Sequence, residues 1–396
     1  MVQGKISRLS VRDLRFPTSL GGHGSDHTDP DYSAAYVILE TDAEDGLKGY
    51  GITFTLGKGT EVVVCAVDAL AHHVLNKDLG DIVGDFRGFY RQLTSDGQLR
   101  LVLRKVLCIW LQQPFSMLCG TMGQAGGKEE QMLMHGYPAY TTSCAWLEYS
   151  DDMLKQLCTQ APKGGWTRFK VKVGADLQDD ILRCRLIRNM IGPEKTLMMD
   201  ANQRWDVPEA VEWVSKLAEF KPLWIEEPTS PDDILGHATI SKALVPLGIG
   251  VAIGEMCHNR VMFKQLLQAE ALQFLQSDSC RLGSVNESLS VLLMAKKFEI
   301  PVCPHAGGVG LCELVQHLIL FDFISISASL TNRMCEYVDH LLEHFKYPVI
   351  IKNASYVAPK LSGEAGYYTE MKEESVKKHQ YPDGKVWKKL LTAQRN

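Results

Sequence analysis

From about residue 138 onward the chain alternates short apolar runs with longer stretches of helical period. The runs are "YTTSCAW" (140–146), "RFKVKV" (168–173), "TLMMD" (196–200), "LWIEE" (223–227), "GVAIG" (250–254), "QFLQS" (273–277), "PVCP" (301–304) and "FISISA" (323–328). Between them lie amphipathic helical patterns such as "PEAVEWVSKLAEF", which has Pro208 near its start, where a missing N–H costs a helix nothing. Eight strands with intervening helices predict an α/β fold, a parallel (β/α) barrel; a doubly wound sheet is the alternative. No glycine-rich phosphate fingerprint follows an early strand, which weighs against that alternative.

The first hundred residues read differently. Strands are expected at 5–14, 33–41 and 47–55, joined by Gly- and Asp-rich turns, with helical patterns at 59–76 and 80–94. Between the first two strands runs "LGGHGSDHTDPDY", a polar loop of the kind that can close over a ligand. Residues 99–131 show neither a helical face nor strand alternation, so the sequence predicts no structure for them.

Composition narrows the function classes. The 396 residues are 45% apolar and 22% charged, as in ordinary globular proteins, and the net charge of −5 offers no basic field for nucleic acid. No apolar run is long enough to span a membrane. Eleven cysteines without a CxxC pair read as reduced thiols of an intracellular protein. The start carries Lys5, Arg8, Arg12 and Arg15 against one acid, Asp13, a weak likeness to a transit peptide; "KISRLSVRDLRF" also alternates as a strand, and that reading is favoured.

Charge placement carries the chemistry. In "RFKVKVGAD" the side chains of Lys170 and Lys172 share one face of their strand, because successive residues point opposite ways. Asp200, Glu226, Glu255, Asp278, His305 and Glu336 follow at spacings of 23 to 31 residues, one strand–helix unit each. In a barrel such positions converge on one mouth. Single charges of this kind are often surface groups, but a whole set in register with the strands is not. Asp200, Glu226 and Glu255 supply three hard oxygen donors, which suits Mg2+ and weighs against zinc. Asp278 would orient His305 and favour its cationic form, and a lysine near a divalent cation and a second lysine should more readily serve as a base.

These residues carry a resemblance. "KVK" at 170–172, "DAN" at 200–202, "IEEP" at 225–228, "GE" at 254–255, Asp278 and His305 resemble the enolase superfamily, in its mandelate-racemase-like branch. "EEPTSPDDILGHA", "CHNRVMFKQLLQA", "PHAGGVGLCELVQH" and "CEYVDHLLEHF" are similar to stretches of the L-fuconate dehydratases. The resemblance implies a (β/α)7β TIM-like barrel with an α+β N-terminal capping domain. Its expected limits are 1–137 for the cap, 138–335 for the barrel, and 336–396 for a segment that completes the barrel and returns to the cap. It further implies a Mg2+-dependent lyase acting on a small acid sugar, L-fuconate, with Lys172, His305 and Asp278 catalytic and Asp200, Glu226 and Glu255 on the metal. Lys170, Asn202, Glu226, Glu255 and Glu336 would contact substrate, and Gly24, Ser25, Asp26 and Tyr32 would read its distal hydroxyls. A homo-oligomer and a mitochondrial location, with the cytoplasm as alternative, also come from the resemblance.

Three departures accompany it. The loop "GSDHTDPDY" is two residues shorter than the family's, Met256 follows Glu255 where a polar residue is usual, and residues 100–130 resemble nothing in the family. Two other readings therefore stand beside the dehydratase: a racemase or epimerase of the same superfamily, and a catalytically impaired isoform with a disrupted cap.

Overall fold

The computed structural model describes residues 4–21, 31–95, 126–145, 149–283, 285–359 and 368–393. The N-terminal unit is an antiparallel sheet of β1 (Ile6–Arg15), β2 (Tyr32–Thr41) and β3 (Lys48–Leu56) in that order, followed by α1 (Thr60–Leu70), α2 (Leu79–Gly84) and α3 (Phe86–Thr94). Each strand begins and ends within one residue of the limits read from the sequence. The helices cover one face of the sheet through Val11, Val37, Val63 and Val67, all buried. Asp78 and Asp85 cap α2 and α3 by accepting from Gly80 N and Gly88 N. The end of the stretch with no sequence prediction forms α4 (Gly126–His135); residues 96–125 lie outside the described ones.

The barrel starts with β4 (Tyr137–Thr141) and continues through α5 (Asp151–Gln160), β5 (Arg168–Lys172), α6 (Leu177–Ile191), β6 (Thr196–Asp200), α7 (Val207–Leu217) and β7 (Trp224–Glu226). Then come α8 (Ile234–Leu244), β8 (Gly250–Ile253), α9 (Arg260–Gln268), β9 (Phe274–Leu275), α10 (Val285–Lys297), α11 (Leu311–Phe321) and β10 (Cys335–Tyr337). Strands β4 to β9 pair in parallel and in sequence. Residues 301–305 make the seventh stave, bridged to β9 at Leu275–Val302 and to the segment just after β9 at Asp278–His305. Glu336 N donates to Pro304 O, and β10 pairs back onto β4 in parallel, which closes the ring. The fold class is the one expected.

Two strand limits are corrected. The first stave is Tyr137–Thr141, not 140–146, because the chain turns at residues 143 and 144. "FISISA" is not the eighth strand: Asp322–Ser327 is a turn of π-helix that continues α11 without a break. Its alternating Phe and Ile mimic a strand, but Phe323 and Ser327, four residues apart, are the buried ones, which is a helical spacing. The true eighth stave is three residues long and carries Glu336 within it, too short for a period to show.

Inside the ring, one apolar or aromatic side chain from nearly every stave forms a plug: Tyr140, Met198, Trp224, Ala252, Phe274, Cys303 and Met334. Outward-facing residues pack against the helices in two further cores around Val171, Leu197 and Ile225, and around Ile253, Leu275 and Val302. The C-terminal segment runs back to the N-terminal sheet. Tyr381 N donates to Asp13 O, Trp387 Nε1 to Arg15 O, and Met371 N to Tyr36 Oη.

Candidate active site

The plug explains where the ionisable groups stand. Two residues further along a stave is the same face one step nearer the mouth. Met198, Trp224, Phe274, Cys303 and Met334 are therefore followed, above the plug, by Asp200, Glu226, Gln276, His305 and Glu336. On β5 the same face carries Lys170 and then Lys172. Both lysines point inward; Lys170 is 2% exposed and Lys172 9%.

Lys170 Nζ lies 2.6 Å from Glu226 Oε1, 2.9 Å from Glu336 Oε1 and 3.3 Å from Asp200 Oδ2, above the Tyr140 ring. Burial alone would lower its pKa, but Glu226 and Glu336 outweigh burial and hold the ammonium well above its usual value. Lys172 Nζ donates to Asn202 Oδ1 at 2.7 Å and sits 2.8 Å from Asp200 Oδ2. Burial opposes ionisation of Asp200 too, yet the two lysines win and its pKa is lowered. Glu226 is the counterexample: burial and then Asp200 raise it well above normal, and Lys170 offsets only part of that.

On the far side, Asp278 Oδ2 accepts from His305 Nδ1 at 2.7 Å and from Arg281 Nη1 at 2.6 Å. Its Oδ1 is fixed by Cys280 N and Arg281 N. His305 Nε2 faces Glu336 Oε2 at 3.5 Å and Glu255 Oε1 at 3.6 Å. Burial disfavours the imidazolium, but Glu255 and Glu336 outweigh it and push the pKa up to about 9. Gly307 N, 3.3 Å from Nε2, makes a contact that only the neutral ring can accept. One weak contact is small against three carboxylates, so the cation is the favoured form. Gly254 is required here: its φ is +137° and a Cβ would meet Gln276 O at 2.5 Å, so Glu255 can follow only a residue without a side chain.

The structure thus brings Lys170, Lys172, Asp200, Asn202, Glu226, Glu255, Asp278, His305 and Glu336 to one mouth. Tyr32 packs edge-on to His340, 4.6 Å between ring centroids, in the core that also holds Phe54 and Ala306. Gly24, Ser25 and Asp26 lie outside the described residues. Met256 is half-buried beside Glu255, and nothing in the structure gives it a task.

Four residues at the mouth escape a search for charged strand ends. Gln276 donates to Glu226 Oε2 at 2.7 Å; its spacing of two from Asp278 was the available signal. Arg281, three residues after Asp278, also reaches Glu255 at 3.3 Å. Phe54 comes from the N-terminal sheet, its ring 4.7 Å from the Arg281 guanidinium carbon and 6.3 Å from the His305 ring. It fits because residue 308 is glycine; a Cβ there would lie 2.5 Å from the ring. Glu227 is buried, and burial followed by Glu255 pushes its pKa up to about 8.

Among the described residues, no three His, Cys, Asp or Glu side chains already converge at metal distance. The donor set nevertheless fits a hard divalent cation. Asp200, Glu226 and Glu255 follow one another at the ends of three adjacent staves, and all three are carboxylates, the hard oxygen donors such a cation prefers. Burying this much negative charge, with Glu226 forced toward its neutral form, calls for a positive charge among the three.

This geometry is that of an enolase-type barrel, and the comparisons agree. The model described as "Enolase C-terminal domain-like" matches residues 152–375. The human protein named mitochondrial enolase superfamily member 1 is 74% identical over 446 aligned positions, covering 100% of each chain. Its crystal structure superposes with a TM-score of 0.94 at 72% identity, over 98% of this chain and 99% of that one. The 446 aligned positions exceed this chain's 396 residues, so 50 of them fall opposite no residue here. An L-galactonate dehydratase of Hypocrea jecorina is 42% identical over 97% of this chain and 96% of its own. At 22% identity, the L-talarate/galactarate dehydratase of Salmonella typhimurium LT2, solved with Mg and L-lyxarohydroxamate, shares the fold with a TM-score of 0.71 over 93% of this chain and 90% of that one. The chain belongs to the enolase superfamily.

Proposed function

We propose that this protein is a Mg2+-dependent acid-sugar dehydratase, a lyase that converts L-fuconate to 2-keto-3-deoxy-L-fuconate and water. One observation carries the reading. Lys172 ends the second stave, Asp278 follows the sixth and its partner His305 ends the seventh, on either side of the three carboxylates at the ends of the third, fourth and fifth. Elimination of water α,β to a carboxylate needs a base on one side and an acid on the other. The dehydratases among the relatives support the reaction class, and the subfamily-like stretches support the substrate. The name of the human relative supports a mitochondrial location.

Asp200, Glu226 and Glu255 would hold the Mg2+, which when bound supplies positive charge to a substrate carboxylate that gains electron density. Lys172, as the neutral amine, takes the proton from C2, and the C2–H electrons pass into the carboxylate system. Asn202 orients that amine through its 2.7 Å contact. His305, held cationic by Glu255, Glu336 and Asp278, gives its proton to the 3-hydroxyl as the C3–O bond breaks. Water leaves, and the resulting enol rearranges to the 2-keto acid. Lys170 keeps Glu226, Glu336 and Asp200 in place and offsets their charge.

A panel of acid sugars incubated with Mg2+ and assayed for 2-keto-3-deoxy product tests this. L-Fuconate should be among the best substrates. A protein that binds Mg2+, shown by a raised melting temperature, yet dehydrates nothing in the panel would end the dehydratase reading.

A further inference from the structure

Behind the mouth, the turn that follows β6 has an unusual backbone. Asn202 and Gln203 are both left-handed, with φ of 45° and 66°, and so is Glu227 at 40°, after β7. None of the three is glycine. Such conformations cost free energy and persist only where neighbouring bonds hold them. Gln203 and Glu227 hold each other twice: Gln203 N donates to Glu227 O at 2.7 Å, and Gln203 Nε2 donates to Glu227 Oε2 at 2.7 Å. Ala201 N donates to Glu226 O, and Asn202 N to Asp200 Oδ1, so the turn is pinned on both sides. What the pinned turn presents to the site is the Asn202 amide, whose oxygen accepts from Lys172 Nζ. Glu227 is 0% exposed, and its Oε1, also buried, makes no hydrogen bond among the described residues. A buried carboxyl left half-satisfied is costly, which argues that its contact with Gln203 has a use beyond stability.

We propose that Glu227 and Gln203 form a brace that sets the Asn202 turn and thereby aims the Lys172 amine at the substrate's α-carbon. Both are positioning residues, acting through Asn202. The proposal rests on Lys172 being the base.

The test uses full-length protein with Mg2+ and L-fuconate in D2O, reading deuterium uptake at C2 alongside kcat and KM for product. Gln203→Gly removes the side-chain bond while easing the left-handed backbone, so lost activity cannot be charged to strain. We expect kcat for exchange to fall about 10- to 100-fold, as a misaimed group costs, with KM within about three-fold. Asn202→Gly should lower kcat alike, with KM also rising because Asn202 would contact substrate, and the double variant should lose no more kcat than about three-fold beyond the worse single, because the two act in series. Glu227→Gln, which can still accept from Gln203, should recover most of what Glu227→Ala loses. Without metal, an amine-reactive label should reach Lys172 faster in Gln203→Gly than in the parent.

Parental exchange in Gln203→Gly, or losses that multiply in the double variant, would overturn the brace and leave the base assignment standing. Exchange at the parental rate in Lys172→Ala would overturn both. Should Gln203→Gly fail to fold, Glu227→Ala reads the same brace from its other end.

Discussion

Strands β1 and β5 carry nearly the same pattern and meet opposite fates. In β1, "ISRLSVRDLR", basic residues are interleaved with apolar ones, as they are in "RFKVK" of β5. Arg8 on β1 is largely exposed and meets Glu40 across the sheet at a loose 3.8 Å. Lys170 on β5 is sealed in among three carboxylates. The difference lies in what covers each face. The face of the β1 sheet away from its helices packs on the barrel through Leu14, Ala34, Tyr36, Ile52 and Phe54, but Arg8 stands opposite Glu40 near the start of its strand, where that cover thins and water reaches it. Strand β5 belongs to a closed ring whose outer face meets helices and whose inner face meets the other staves. Alternation states which residues share a face, and the surroundings decide whether that face is wet.

The comparison can be broken most forcefully at Lys172. Lys172→Ala should abolish deuterium exchange at C2 of L-fuconate, a fall of at least about 100-fold for loss of a positioned base, while the fold persists by circular dichroism. Next is Lys170, whose replacement by Met keeps the length and removes the charge. Leaving Asp200, Glu226 and Glu336 without it should cost roughly 3–5 kcal/mol in urea unfolding. A loss under about 1 kcal/mol would mean that the cluster relaxes and is less tightly coupled than the distances imply.

A third experiment contrasts two buried acids of the barrel. Asp200, beside lysines, is lowered, whereas Glu313 on α11 has no such partner among the described residues and burial pushes it up to about 7 from 4.5. An acid raised on folding binds its proton more tightly in the native state. Glu313 therefore costs nothing below pH 4.5, takes an increasing toll between 4.5 and 7, and a constant one above. Glu313→Gln should flatten that part of the stability profile and stabilise the protein by roughly 2–3 kcal/mol at pH 8. A slope unchanged between pH 4.5 and 7 would remove Glu313 as its source. The smallest effect belongs to Arg8→Ala: below about 0.5 kcal/mol, because a solvated pair gains little. If it matched Lys170→Met, burial would not be what separates the two strands.

Much of this architecture is legible in the chain itself, for reasons that also mark the limits. The N-terminal strands are nine or ten residues long, enough for period two to show, and their limits were readable to within one residue. The staves of the barrel run from two to five residues, so their positions were clearer from what ends them than from their own pattern. "FISISA" was misread for the converse reason: six residues can satisfy a strand's alternation while continuing a helix. At the mouth, charged ends at regular spacing picked out Asp200, Glu226, Glu255, Asp278 and His305, but uncharged Gln276 and Phe54, from another unit, carried no such signal.

Residue identity and spacing, by themselves, determined the alternation of strand and helix, the shared face of Lys170 and Lys172, and the acid–base–carboxylate inventory, because these depend only on local geometry repeated along the chain. Ring closure decided the rest. It paired Lys170 with acids 30 to 166 residues away, set Glu226 and Asp200 on opposite pKa courses, and brought Phe54 down beside Arg281. Desolvation and charge proximity are properties of the space around a group, and that space is assembled only when distant segments pack.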